Sequence, residues 1–471
     1  MQKDMTKGNP MPIILQFTWP LFLGNVFQQV YNAVDSMIVG RFVGSGALAA
    51  VGSTGTIMFL VIGAATGLST GFTVLTSQRY GIHDEEGIKK SVANGMLLSA
   101  AVIILMTVSS LLGMKGILRL LNTPENIFED AYTYISIICA GIIASVAYNF
   151  FSACLRAIGN SKVPLVTLIF SACLNVVLDL ALIVGLKMGV AGAALATIIS
   201  QGVSALMCFL YIWKKETMLR PEWEQMRFFP EDTKKQLGVG VPMALQFAIT
   251  ASGTMVMQAA INLFGALAVA SYTAASKLQN MLTQGMMAIG QTMATYSGQN
   301  YGAGEVDRIK KGVNAALLVD IVYSVIAGLV AYLGLPVLLK FFFESGTDMT
   351  QIMFYAKRYT VLCILFYIPL CVIFIFRNTM QGCGYGFLPM MGGVVELLAR
   401  LLCAVIAMRV MSYSLAVFCD PAAWLAAGIF TMVSYFHVIK KIEKRKELGR
   451  AWKYRYGCKI ITYRSCGKKT E

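Results

Sequence analysis

Twelve apolar segments follow one another along the 471 residues and leave little chain between them. A hydrocarbon core about 30 Å thick takes roughly 20 apolar residues as a helix, and inside it every backbone N–H and C=O must be satisfied within the protein. The segments fall at 13–39, 47–76, 92–112, 131–155, 164–186 and 190–213. After a charged stretch they resume at 237–263, 267–297, 312–339, 356–380, 389–410 and 413–438. They predict an all-α polytopic membrane protein. With 57% apolar and 13% charged residues, the chain lacks the polar surface of a soluble enzyme, a disordered protein or a disulfide scaffold. The first segment holds Asn25, Gln28, Gln29, Asn32 and Asp35, too polar for a cleaved leader.

The net charge of +15 would suggest a nucleic-acid partner in a soluble chain, but here its distribution favours orientation in the membrane. With the N-terminus inside, 29 of the 39 Lys and Arg face the cytoplasm and 8 face outward, while Lys277 and Arg400 lie within helices. Both termini are expected in the cytoplasm of a multi-pass plasma-membrane protein. The basic tail, 439–471, is expected to serve as an orientation signal in contact with anionic lipid, with no nucleic acid bound. The eleven cysteines are dispersed singly, mostly in apolar stretches, and read as small core residues. Two histidines, His83 and His437, are too few for a His-based metal site. No cofactor is expected, and the chain is expected to be a monomer.

The chain repeats itself. Gln78-Arg79-Tyr80-Gly81, followed by Ile88-Lys89-Lys90-Ser91-Val92, returns in the second half as Gln299-Asn300-Tyr301-Gly302 and Ile309-Lys310-Lys311-Gly312-Val313, at one constant offset and without a gap. Pro20 matches Pro242, and Gly159 and Pro164 match Gly384 and Pro389. Six helices per repeat, an even number, make the repeat parallel, with a cleft expected between two lobes. The expected organisation is an N-terminal lobe (1–213), a cytoplasmic linker (214–236), a C-terminal lobe (237–438) and the tail.

Carboxylates at membrane depth are costly and so tend to be functional or paired. Counting residues from the outer helix ends at 1.5 Å each places Asp35, Asp179 and Thr197 in one layer about 8–10 Å deep, with Asn175 one turn from Asp179. Two carboxylates, an amide and a hydroxyl could hold a proton or ligate Na+; a packed hydrogen-bond cluster is the structural alternative. Gln28, Tyr31 and Asn32 on helix 1 and Lys277 on helix 8 are candidate cleft residues, and Pro20 is a candidate hinge, with a static kink as the structural alternative. Glu396 and Arg400, one turn apart, are expected to form a structural ion pair, and Asp320 and Asp420 to be interfacial caps.

Several segments together resemble the multidrug and toxic compound extrusion (MATE) family over nearly the whole chain. They are Val34-Asp35-Ser36-Met37-Ile38-Val39-Gly40-Arg41, Asn175-Val176-Val177-Leu178-Asp179, Gly189-Val190-Ala191-Gly192-Ala193-Ala194 with Ala196-Thr197, and Gln299-Asn300-Tyr301-Gly302-Ala303-Gly304. The resemblance implies two six-helix lobes and antiport of H+ or Na+ against organic, often cationic, compounds. It also implies an N-lobe coupling site at the positions of Asp35, Asn175, Asp179 and Thr197, and bending of helix 1 at Pro20. The pattern departs in helix 7, which has no acidic residue, so a cation site built on a helix-7 glutamate does not carry over. A lipid or lipid-linked sugar flippase of related architecture is the alternative. It should line its cleft with several Arg or Lys to hold pyrophosphate. A membrane-embedded enzyme is not expected, for want of a nucleophile–base pair or metal ligands.

Overall fold

The structure, a computed structural model, describes residues 3–121, 123–343 and 349–447, and every regular element among them is helical. The first half comprises α1 (Pro10–Phe42), α2 (Ser45–Ser53), α3 (Gly55–Gly81), α4 (Glu85–Leu120), α5 (Glu125–Ala140), α6 (Ile142–Ala157), α7 (Lys162–Asp179) and α8 (Gly189–Lys215). The second comprises α9 (Pro230–Asn262), α10 (Ala266–Gly302), α11 (Val306–Phe342), α12 (Met349–Leu365), α13 (Tyr367–Gly382), α14 (Phe387–Val410), α15 (Tyr413–Val417) and α16 (Cys419–Glu447). Because α2 leads into α3, α5 into α6, α12 into α13 and α15 into α16, these helices make twelve passages in two six-passage lobes. The expected second segment, 47–76, is broken at Thr54. Of the expected basic tail, residues 448–471 lie outside the described residues.

Helix starts follow from local chemistry. Asn9 Oδ1 accepts from the Met11 N–H at 3.1 Å, with Pro10 in the first turn, where its missing donor is not needed. Asp84 Oδ1 accepts from the Gly87 N–H at 2.9 Å, with Glu85 and Glu86 at the positive end of α4.

The sequence repeat is also a backbone repeat. Left-handed residues recur in pairs at a nearly constant offset: Gly44 and Gly265, His83 and Gly304, Gly159 and Gly384, Lys187 and Met411. Equivalent connections require the same reversal of the chain. Where the residue is not glycine the conformation costs about 1 kcal/mol or more. The bends recur as well: 46° between α5 and α6 at Gly141, and 51° between α12 and α13 at Phe366, the matching place in the second repeat.

Both described chain ends lie on one face, called proximal here. Arg308 donates to the carbonyls of Met5 (2.9 Å) and Gly8 (2.8 Å), and Lys310 pairs with Glu443. The lobes meet mainly in the proximal half. On α3, Gly63, Gly67 and Gly71 form a stripe one turn apart. A Cβ there would lie 2.9 Å from Phe247, 2.8 Å from the Ala244 nitrogen and 2.3 Å from the Gly240 Cα of α9. Lipid supplies no hydrophobic drive for helix association, so such close backbone packing takes its place. Beyond Phe59 and Phe247, packed edge to face at 6.2 Å, the helices part: a Cβ at Gly52 or Gly55 would meet nothing within 4 Å.

α1 belongs to both lobes. Ile13, Ile14, Phe17 and Leu21 pack with Ile289, Met293 and Tyr296 of α10, whereas Ile38 and Val39 pack with Tyr134, Ile138 and Val190 of the N-lobe. Pro20 lies inside α1 between these two halves, and the helix continues through it. Ten of the twelve passages are long and apolar enough to cross a membrane, counting each bent pair once; α1 and α10 fall short. Both are interrupted by polar side chains along their length.

Candidate functional site

Four helices of the N-lobe converge on a buried polar cluster in the distal half. α1 presents Tyr31 and Asp35 one turn apart, α7 ends on Asn175 and Asp179, α8 contributes Thr197 and α5 contributes Tyr134. Asn175 and Asp179 are fully buried, and Asp35 and Thr197 nearly so. With its amide oriented by its neighbours, Asn175 donates to Asp179 Oδ2 at 2.9 Å and accepts from the Thr197 N–H at 3.3 Å. Tyr31 donates to Thr197 Oγ1 at 3.4 Å. The Asp35 and Asp179 carboxyls lie within hydrogen-bonding reach of one another, and Oδ1 of each meets no protein donor. The chain leaves Asp179 through a π-helical turn, Leu180–Gly185, a wide turn often found beside functional groups.

Asp35, Asn175, Asp179 and Thr197, assigned to one layer by residue counting, thus meet in one cluster. Tyr31, expected on the cleft wall, turns into this cluster instead, because it stands one turn below Asp35 on the N-lobe side of α1. Tyr134 escaped the sequence reading. It lies within electrostatic reach of Asp35, Tyr31 and Asp179 and is buried. The available signal was a phenol at matching depth among many membrane tyrosines.

The cleft wall carries amides. Thr18 and Thr292 join α1 to α10 in the proximal half, hydroxyl to hydroxyl at 2.8 Å. From Thr18, helical spacing puts Asn25, Gln29, Asn32 and Ser36 on the same face of α1. Gln28 donates to Asn32 across one turn at 3.2 Å, and on α9 Gln258 donates to Asn262 at 2.8 Å. Lys277 is exposed on α10, in line with exposed Thr273 and Asn280.

In the C-lobe, Arg400 makes the expected ion pair with Glu396 (Nη1–Oε1 2.8 Å) and a second one with Asp420 (Nε–Oδ1 2.9 Å). Asp420 is therefore not an interfacial cap; the start of α16 packs it against α14. Asp320 is not a cap either. It is wholly buried within α11, where its polar neighbour on another helix is Cys371 of α13. Both acids lie inside the expected segments 312–339 and 413–438, and a residue count along a helix gives depth but not the partner on the neighbouring helix.

The repeated Gln-x-Tyr-Gly motifs close the proximal face. A Cβ on Gly81 would lie 1.9 Å from the Gln299 carbonyl oxygen, and one on Gly302 1.8 Å from that of Gln78. Gln78 Nε2 donates to the Gly382 carbonyl at 2.8 Å and Gln299 Nε2 to that of Ala157 at 2.9 Å. Arg79 forms a buried bidentate pair with Asp232 of α9, both bonds 2.7 Å. The linker lies along α4 through Lys89–Glu222 (2.6 Å) and the Phe229 N–H on Asn94 Oδ1 (2.9 Å).

The MatE family model matches residues 20–181 and again 242–406. A probable multidrug resistance protein of Bacillus subtilis, YpnP, is 32% identical over 65% of this chain and 68% of its own length. The probable multidrug resistance protein NorM of Thermotoga maritima is 24% identical over 93% and 94%. Among solved structures, an outward-facing multidrug resistance MATE family transporter superposes with a TM-score of 0.86 at 22% identity, covering 93% of this chain and 98% of that one. Two lobes, a doubled family match and a relative matched over nearly its full length agree: the chain belongs to the MatE family of multidrug efflux transporters.

Proposed function

We propose that the chain is a proton-coupled antiporter that exports organic compounds, cations among them, by alternating access. Both termini and the proximal face then lie in the cytoplasm, and Asp35 with Asp179 carries the coupling proton. The observation that supports this most is the pair of carboxyls within reach of one another, with Oδ1 of each meeting no protein donor. Two such groups hold together through a shared proton. The remaining polar atoms favour H+ over Na+. Asn175 turns its nitrogen toward Asp179, and Thr197 Oγ1 already accepts from Tyr31, which leaves few free oxygens for a hard cation.

The names of the relatives as multidrug resistance proteins support export of varied organic compounds. Closure of the proximal face, with the distal helices parted, supports a state open away from the cytoplasm. The excess of Lys and Arg in the proximal connections supports the same orientation. For the flippase alternative, which asks for several cleft cations, Arg400 is occupied by two carboxylates.

The test is ethidium transport into proteoliposomes under an imposed pH or Na+ gradient. Uptake should follow the pH gradient and be abolished in Asp35→Asn, which keeps the shape of the side chain but cannot exchange a proton. Uptake that follows Na+ alone, or wild-type coupling in Asp35→Asn at normal protein levels, would overturn the proposal.

A further inference from the structure

The segment before α1, residues 3–9, lies across the proximal gate and touches both lobes. On the C-lobe side the Met5 N–H donates to Gln299 Oε1 at 2.9 Å, and the Met5 carbonyl accepts from Asn300 Nδ2 at 3.2 Å. Arg308 donates to the same carbonyl at 2.9 Å and to that of Gly8 at 2.8 Å. The Met5 side chain is wholly buried, in one apolar cluster with Met293, Tyr301 and Cys383. On the N-lobe side the Lys3 carbonyl lies against Gly159, where a Cβ would come within 2.2 Å of it. Asp4 Oδ2 lies 3.8 Å from Nε2 of His83, in the turn between α3 and α4. Gln299 ties the arrangement together, since its Oε1 holds the segment while its Nε2 holds Ala157 of the N-lobe at 2.9 Å.

The two attachments are unequal. Toward the C-lobe the segment has four backbone hydrogen bonds, two of them from a guanidinium, and a buried anchor. Toward the N-lobe it has one backbone contact and one solvent-exposed pair, a kind that contributes little. Lys3 also stands close to Lys162 at the start of α7, like charge against like. Hydrogen bonds are lost once donor and acceptor separate beyond about 3.5 Å, so the segment cannot follow both lobes when they part. It stays with the C-lobe and gives up Gly159 and His83.

We propose that residues 3–9 are a latch on the proximal gate, mounted on the C-lobe, which must undock from the N-lobe before the gate opens. Its docking contacts exist in the closed gate alone, so they bias the balance of states toward opening at the distal side. The purpose of such a latch rests on the alternating-access reading. Its action concerns the resting position of the gate, and neither the coupling proton nor the substrate.

A distance measurement tests the latch apart from transport. Glu85 at the start of α4 and Lys311 on α11 are exposed on the proximal side of opposite lobes. Spin labels joined there through p-acetylphenylalanine leave the native cysteines untouched. In the full chain in lipid nanodiscs, with no gradient present, the parent should show mainly one short distance. Deletion of residues 3–8 should raise a longer-distance population roughly tenfold, and Met5→Asp, which drives the anchor into water, should do the same. Asp4→Ala should produce a smaller shift in the same direction, and Lys7→Ala, whose side chain is largely exposed, should leave the parent distribution. Unchanged distances in both the deletion and Met5→Asp would overturn the latch, whether or not ethidium uptake follows the pH gradient. A shift in Lys7→Ala as large as that in Met5→Asp would overturn it too, because the anchor would then have no special part. Failure of proton-coupled uptake alongside the expected distances would sink the efflux reading alone.

Discussion

Gln78 and Gln299 make the same hydrogen bond in opposite directions across the lobe boundary: Gln78 on α3 reaches Gly382 of the C-lobe, and Gln299 on α10 reaches Ala157 of the N-lobe. Donors and acceptors alike are separated by the length of one repeat, so the repeat operates as a reciprocal clasp. Beside each amide a glycine lets the two backbones touch.

Adding one methyl group should spring this clasp. In Gly81→Ala or Gly302→Ala the new Cβ would overlap a carbonyl oxygen of the other lobe, and the backbones must separate. Overpacking of this kind costs about 1–3 kcal/mol or more. Both variants should label faster at Cys383, which is buried beside the clasp, and should transport poorly. Gly52→Ala, where the Cβ meets nothing within 4 Å, is the control and should behave as the parent. Unchanged Cys383 labelling in both gate variants would refute the clasp.

Arg79 and Asp232 strengthen the same closure. Asp232→Asn leaves a buried guanidinium without its bidentate partner, a loss of about 3–5 kcal/mol when a buried pair is broken from one side. The expected result is a lower thermal midpoint in detergent and faster labelling of Cys383. A midpoint equal to the parent would show that water replaces the carboxylate.

Coupling should be separable by lobe. Asp179→Asn should remove the dependence of efflux on the pH gradient while the protein still reaches the membrane. Tyr134→Phe, which removes a hydroxyl but no charge, should weaken that dependence without removing it. Glu396→Gln should leave coupling intact per molecule of protein. The opposite pattern, uncoupling in Glu396→Gln and not in Asp179→Asn, would move the coupling site to the C-lobe.

Arg400 holds two carboxylates, which makes its replacement worse than the loss of either one. Arg400→Met strands Glu396 and Asp420 together in an apolar layer and should cut the yield of folded protein sharply. Glu396→Gln or Asp420→Asn leaves one ion pair in place and should be milder. Size-exclusion profiles of the three variants, measured side by side, check this order.

The sequence by itself determined the number of passages, their division into two repeats and the layer of the N-lobe carboxylates. Each of these depends on local quantities: apolar length against bilayer thickness, motif spacing, and residue counts from a helix end. Helices of fixed rise turn such counts directly into depth. Azimuth and partner were decided only by the tertiary structure. Tyr31 and Asn32 are neighbours in sequence, yet the packing of α1 against α7 and α8 turns Tyr31 into the buried carboxylate cluster and leaves Asn32 exposed. Asp420 found Arg400, and Arg79 found Asp232, through helix contacts between residues 20 and 153 positions apart. Gly63, Gly67 and Gly71 were legible as small residues, but their meeting with Gly240, Ala244 and Phe247 was not. Inside a membrane, apolarity no longer distinguishes a face that meets lipid from one that meets protein, so only the fit of backbone against backbone selects which helices touch.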